Sequence, residues 1–132
     1  MPTLYKAICS HPDLGRYDLS SLRTGIMAGA PCPIALMRRV IAEMGMREVT
    51  IGYGMTETSP VSCQSSVHTP LDKRVSSVGQ VQPHLEVKIV DPTTHEAVTP
   101  GETGELCTRG YSVMHGYWDD EAKTAEAVDA EG

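Results

Sequence analysis

The chain has 132 residues, 40% apolar and 21% charged, with a net charge of −6 and an isoelectric point near 5.2. That length suits one ordinary domain with its own core, and an acidic chain without a Lys/Arg cluster argues against a nucleic-acid partner, because counterion release from phosphates needs a basic surface. No apolar run approaches the length of a bilayer span, and Met1 to Ser10 does not read as a secretory signal, so the cytoplasm is the expected location.

Met1–Ser10 resembles the end of a helix, with Leu4, Ala7 and Ile8 at helical spacing. His11-Pro12-Asp13 and Gly15 break it. Leu22 to Ala28 is a short apolar run suited to a buried strand, stopped by Gly29-Ala30-Pro31. Pro33 stands where a first helical residue belongs. Met37, Val40, Ile41 and Met44 then mark one apolar helix face, and Gly45 supplies a stop. Val49 to Tyr53 is β-branched and short, a second strand. Strand, helix and strand within about thirty residues make a βαβ unit with parallel strands.

Residues 54–78 are rich in Thr, Ser, Pro and Gly and read as a long loop, a feature that is uncommon in compact domains and often functional. Beyond Val78 the pattern becomes antiparallel. Leu85, Val87 and Ile89 alternate with Glu86 and Lys88, Asp91-Pro92-Thr93-Thr94 and Pro100-Gly101 are turns, and Glu105 to Arg109 is a further strand. Asp119 can cap a closing helix over 120–128. The expected fold is therefore α/β: a strand-helix-strand portion of a parallel sheet in 1–74, then a β-rich antiparallel part with a closing helix in 75–132.

Cys9, Cys32, Cys63 and Cys107 are widely spaced, with no CxxC and no His/Cys cluster, so they are expected to be reduced core residues rather than zinc ligands. With no Phe in the chain, seven Met together with Val, Ile and Leu must fill the core. Arg38-Arg39 and Lys73-Arg74 are expected on solvated faces, and Trp118 is expected to anchor the core. The five histidines show no paired metal spacing, and no Gly-x-Ser-x-Gly elbow supports a serine hydrolase.

The informative run is Gly52-Tyr53-Gly54-Met55-Thr56-Glu57-Thr58-Ser59-Pro60, directly after a strand. In open α/β sheets, ligands bind at the carboxyl ends of strands. A Tyr ring can stack on a base, Gly admits a close ligand, a Thr hydroxyl can donate to phosphate, and a Glu carboxylate can hold Mg²⁺. Residue chemistry alone equally describes a strand ending in a polar turn with Glu57 solvated.

Four segments in the same order decide between these readings. Tyr53-Gly54-Met55-Thr56-Glu57 resembles the Tyr-Gly-x-Thr-Glu motif of the adenylate-forming superfamily, which includes acyl-CoA synthetases, luciferases and peptide-synthetase adenylation domains. Gly29-Ala30-Pro31 resembles its glycine-rich turn against adenine, and Ser77-Val78-Gly79-Gln80 through Pro83 its Ser-Val-Gly-x-x-x-Pro stretch. Gly104-Glu105-Leu106-Cys107-Thr108-Arg109-Gly110 with Gly116-Tyr117-Trp118 resembles the Gly-Glu-Leu…Arg-Gly…Gly-Tyr-Trp block. The runs 53–60 and 109–114 look most like fatty acyl-CoA synthetases of the medium-chain type.

The resemblance implies ATP, Mg²⁺ and CoA as cofactors or substrates, with a fatty acid as the acid activated. It implies Tyr53 stacked on adenine with Gly29, Ala30 and Pro31 on its other side, and Gly54 in the same binding turn. Thr56 would face the phosphates and Glu57 would bind Mg²⁺, the two forming the catalytic pair. Gly52, Met55 and Thr58 would lie near the acyl pocket entrance. The superfamily's upstream loop ending in Pro-Lys-Gly and its downstream Thr-Gly-Asp are not in this sequence, so the chain is expected to be a fragment of the large N-terminal domain, inactive alone. The alternatives are a retained, non-catalytic interaction module, self-associating through apolar surface exposed by truncation, or a superfamily member that activates an aryl or amino acid.

Overall fold

Helix α1 (Pro2–Cys9) opens the chain with Pro2 in its first turn, where a missing N–H costs nothing. The computed structural model describes residues 1–130 and 132. They form two compact units, Met1–Gly54 with Cys63–Gln80, and Met55–Ser62 with Val81–Gly132.

In the first unit, β1 (Thr24–Ala28), α2 (Ile34–Met44) and β2 (Glu48–Tyr53) form the expected strand-helix-strand element, and β1 pairs parallel to β2 from Thr24↔Glu48 to Ala28↔Gly52. Pro33 is the cap of α2 rather than its first residue, and Gly45 closes the helix. The α2 face made by Leu36, Met37, Val40 and Met44 is buried, packing with Met27, Met46, Val49 and Ile51 into one core. Each such side chain contributes about 1.5–3 kcal/mol by leaving water. Methionine does fill the space that Phe would have taken, and Cys9, Cys32 and Cys63 are buried free thiols.

The long loop expected over 54–78 is broken up by regular structure. A single 3₁₀ turn forms at Thr56–Thr58, β3 (Cys63–Gln64) pairs antiparallel to the end of β2, and α3 (Leu71–Ser76) packs on α2 and β2. Polar composition hid these elements because each is too short to carry a hydrophobic period. The short β4 (Gln80–Val81) gives the sheet the order β1-β2-β3-β4. Gly79 explains why a glycine follows Ser77-Val78. Its φ is +87°, and a Cβ there would lie 2.1 Å from the carbonyl carbon of Gln64, a distance no side chain tolerates.

Arg74 corrects another expectation: it is only 7% exposed, and its guanidinium donates to the carbonyls of Val49, Val67 and Thr69. Carbonyl oxygens replace the water that a charged group would otherwise need.

In the second unit, β5 (Leu85–Val90) and β6 (Glu105–Gly110) pair antiparallel in register from Leu85↔Gly110 to Val90↔Glu105. Asp91 organises the turn after β5 by accepting from the N–H groups of Thr93 and Thr94 at 2.7 and 3.0 Å. Helix α4 (Glu121–Ala127) is capped by Asp120, which accepts from the Lys123 N–H at 3.0 Å, and not by Asp119. Asp119 takes a left-handed φ of 52°, which turns the chain into the helix one residue later. Trp118 is 98% exposed and anchors no core among the described residues, because the turn that leads into α4 points it outward.

Candidate functional site

The site residues are divided between the two units. In the first, parallel pairing fixes the geometry. Because Ala28 is opposite Gly52 at the last register position, Gly29-Ala30-Pro31 and Tyr53-Gly54 leave the sheet at the same carboxyl edge. Gly29, Ala30, Pro31 and Gly54 are exposed, Tyr53 is 37% exposed, and Gly52 is buried inside β2. The sheet thus offers an aromatic ring and a small-residue turn side by side at the position where open α/β sheets receive ligands. The amide of Ile51 donates to Ser65 Oγ at 2.8 Å and the carbonyl of Ile51 accepts from the Ser65 N–H at 2.9 Å, which holds the last residues of β2.

In the second unit, Met55-Thr56-Glu57-Thr58 forms a tight turn. Thr58 Oγ1 lies 3.2 Å from the Met55 amide, which donates to it, and the Thr58 N–H donates to the Met55 carbonyl at 3.1 Å. This turn leaves Met55 and Thr56 exposed, Glu57 half-buried and Thr58 buried. Ser62 Oγ donates to Thr58 Oγ1 at 3.2 Å and Thr108 Oγ1 donates to Ser62 Oγ at 2.9 Å, so a chain of hydroxyls anchors the turn to β6. The Thr58 hydroxyl is therefore spent inside the protein, while that of Thr56 faces outward.

Glu57 is held from sixty residues away. The Tyr117 hydroxyl donates to Glu57 Oε1 at 2.6 Å, and the Met114 N–H donates to the Glu57 carbonyl at 2.8 Å. The Tyr117 hydroxyl, followed by the backbone N–H of Glu57 itself, holds the carboxyl below the ordinary carboxylate range. The same bond pushes the Tyr117 phenol up. Glu57 is thus an ionised, oriented carboxylate at neutral pH. It borders a cavity of about 460 Å³ with Thr58, Cys107, Arg109, Met114 and Tyr117. Burial raises the Cys107 thiol, which leaves it a poor nucleophile.

Among the described residues, no three His, Cys, Asp or Glu side chains cluster as a metal cage. Glu57 stands as a single carboxylate. Mg²⁺ is bound through one or two carboxylates plus substrate phosphates and waters, so this donor suits that ion and does not suit a closed structural zinc.

Sequence reasoning missed Tyr117, Ser62 and Thr108 as supports of the site. Tyr117 was visible only as a member of the Gly116-Tyr117-Trp118 block, and nothing in spacing could connect it with Glu57. The two serine and threonine hydroxyls carry no pattern at all.

Residues 1–118 match the family described as AMP-binding enzyme. YngI of Bacillus subtilis (strain 168) is 51% identical over 132 residues, which is 100% of this chain and 24% of that protein. The mitochondrial medium-chain acyl-CoA ligase ACSF2 of Danio rerio is 48% identical over 127 residues, covering 96% of this chain and 21% of the relative. Among solved structures, the anthranilate CoA ligase AuaEII in complex with anthranoyl-AMP superposes with a TM-score of 0.80 at 28% identity, over 99% of this chain and 27% of that one. The chain spans about a quarter of the length of these relatives.

Proposed function

The chain belongs to the AMP-binding enzyme family, and from that premise we propose that it is part of a fatty acyl-CoA synthetase. The complete enzyme joins a fatty acid to CoA in two steps. A carboxylate oxygen of the acid attacks the α-phosphorus of ATP, the bond to the bridging oxygen breaks, and pyrophosphate leaves behind an acyl-adenylate. The CoA thiol then attacks the acyl carbon, gives up its proton and displaces AMP. Neither step needs a protein nucleophile; both need positioning and charge neutralisation.

One observation carries the nucleotide reading: the parallel strands β1 and β2 deliver Gly29-Ala30-Pro31 and Tyr53 to one carboxyl edge. In this reading Tyr53 stacks on adenine, Gly29, Ala30, Pro31 and Gly54 frame the base, and Thr56 donates to phosphate. Glu57 would hold Mg²⁺, which supplies charge neutralisation at the phosphates when bound. Gly52, Met55 and Thr58 stay nearest the acyl end. The parts 1–74 and 75–132 belong to one larger AMP-binding domain, and neither holds the whole site alone. The cytoplasm remains our reading of where the reaction occurs, supported by four free thiols, which suit a reducing compartment. No helix among the described residues is long and apolar enough to cross a membrane.

The preference for a fatty acid rests on the higher identity to the medium-chain ligase than to the anthranilate ligase, 48% against 28%. It is tested by exchange of labelled pyrophosphate into ATP, catalysed by the full-length protein that contains this chain, with a panel of acids. Exchange that is fastest with medium-chain fatty acids supports the reading. Exchange driven by benzoate-type or amino acids and not by fatty acids reassigns the substrate, and no exchange with any acid removes the activity.

A further inference from the structure

The contact between Glu57 and Tyr117 joins segments sixty positions apart, and it is not isolated. The backbone bond from Met114 to Glu57 brings the same two segments together. On its other side, the Tyr117 N–H donates to Thr124 Oγ1 at 2.9 Å, and that hydroxyl donates to the Asp120 carbonyl at 2.8 Å. The residue is therefore fixed at its backbone by the start of α4 and reaches the carboxylate with its ring. Glutamate has three side-chain torsions, and an ion that had to order them on binding would be held more weakly.

We infer that Tyr117 is a positioning residue for Glu57, its hydroxyl presetting the carboxylate in the orientation that receives the metal of MgATP. This rests on the proposed role of Glu57 as the Mg²⁺ ligand. Carboxylates that bind metals are themselves hydrogen-bonded, and loss of such a partner weakens metal affinity about 10- to 100-fold. The tyrosine does not touch the reacting atoms; it acts through Glu57.

The test uses the full-length protein with ATP, no acid substrate, and Mn²⁺ in place of Mg²⁺, with free Mn²⁺ read by electron paramagnetic resonance. Tyr117→Phe removes only the hydroxyl from a ring that is 38% exposed, so packing changes little. The expected result is Mn²⁺ affinity lowered about 10- to 100-fold in Tyr117→Phe. Glu57→Gln should lower it as well, and adding Tyr117→Phe to Glu57→Gln should cause no further loss, as expected of two groups acting as one. A merely structural role for Tyr117 would lower the melting temperature and leave the Mn²⁺ isotherm in place. Glu57→Gln weakened with Tyr117→Phe unchanged overturns the inference and spares the site reading. A further loss on the Glu57→Gln background overturns it too, since the tyrosine would then act elsewhere. Unchanged Mn²⁺ affinity in Glu57→Gln removes the metal role of Glu57 and this inference with it.

Discussion

The guanidinium of Arg74 donates to the carbonyl of Val49 at 3.0 Å, on the strand that ends at Tyr53. It reaches the carbonyls of Val67 and Thr69 as well, so one buried cation ties the segment after β3 to β2. Arg74→Met keeps much of the side-chain volume and leaves those carbonyls without a donor. The expected loss is about 3 kcal/mol of stability, since each buried group left unpaired costs about 1–3 kcal/mol. A urea titration checks it, and a midpoint equal to wild type contradicts it. Arg74→Lys should recover only part, because an ammonium lacks the planar fork that serves several acceptors.

Ser62 is fully buried and sits between two other hydroxyls, Thr58 and Thr108. Ser62→Ala breaks the chain that anchors the turn of Glu57, with an expected cost of about 1–2 kcal/mol. Thr58→Val removes the acceptor of the Met55 amide, so that amide should exchange with deuterium faster than in wild type. Unchanged protection at Met55 would show that the turn does not depend on the hydroxyl.

Gly79→Ala places a methyl group against the backbone of Gln64 and Ser65, in a left-handed conformation. Backbone cannot rotate away as a side-chain end can. Strain at positive φ and overpacking together should cost about 3 kcal/mol or more. Thermal melting would reveal it, and a variant that melts with wild type would mean the Ser77-Val78-Gly79 turn is looser than described.

Asp91 and Asp120 are both held below the ordinary carboxylate range by backbone N–H donors, from Thr94 and Thr93 in the first case and from Lys123 in the second. A carboxyl with a depressed folded-state pKa stabilises the protein above its unfolded value, near 3.9, and that contribution fades as pH falls through the folded value. Stability should therefore decline below about pH 4. Asp91→Asn and Asp120→Asn retain an acceptor oxygen but no longer titrate, so each should flatten that part of the curve. Melting temperatures measured between neutral and acid pH give the comparison. Equal slopes in wild type and both variants would mean these turns do not set the acid limit.

The strand-helix-strand element was legible because the residues that carry it have a period: Met37, Val40, Ile41 and Met44 on α2, and a β-branched run in β2. The alternation of Leu85, Val87 and Ile89 gave β5 for the same reason. What escaped is held by individual contacts. Nothing in Lys73-Arg74 distinguishes an exposed lysine from a buried arginine, since the difference lies in carbonyls supplied by Val49, Val67 and Thr69. Trp118 looked like a core residue by size alone, and the direction of the chain after Gly116 decides otherwise. The motif at Tyr53–Glu57 located the candidate site, and its supports came from residues that only the fold brings near.

The most direct test of the proposed activity is pyrophosphate–ATP exchange by the full-length protein with Glu57→Ala, using the acid that wild type prefers and circular dichroism as the control for folding. Removing one strong electrostatic group from such a site costs about 100- to 1,000-fold in rate. A folded variant with exchange reduced by that order is the expected result. A folded variant that exchanges at the wild-type rate would contradict the assignment of Glu57 to the adenylation site.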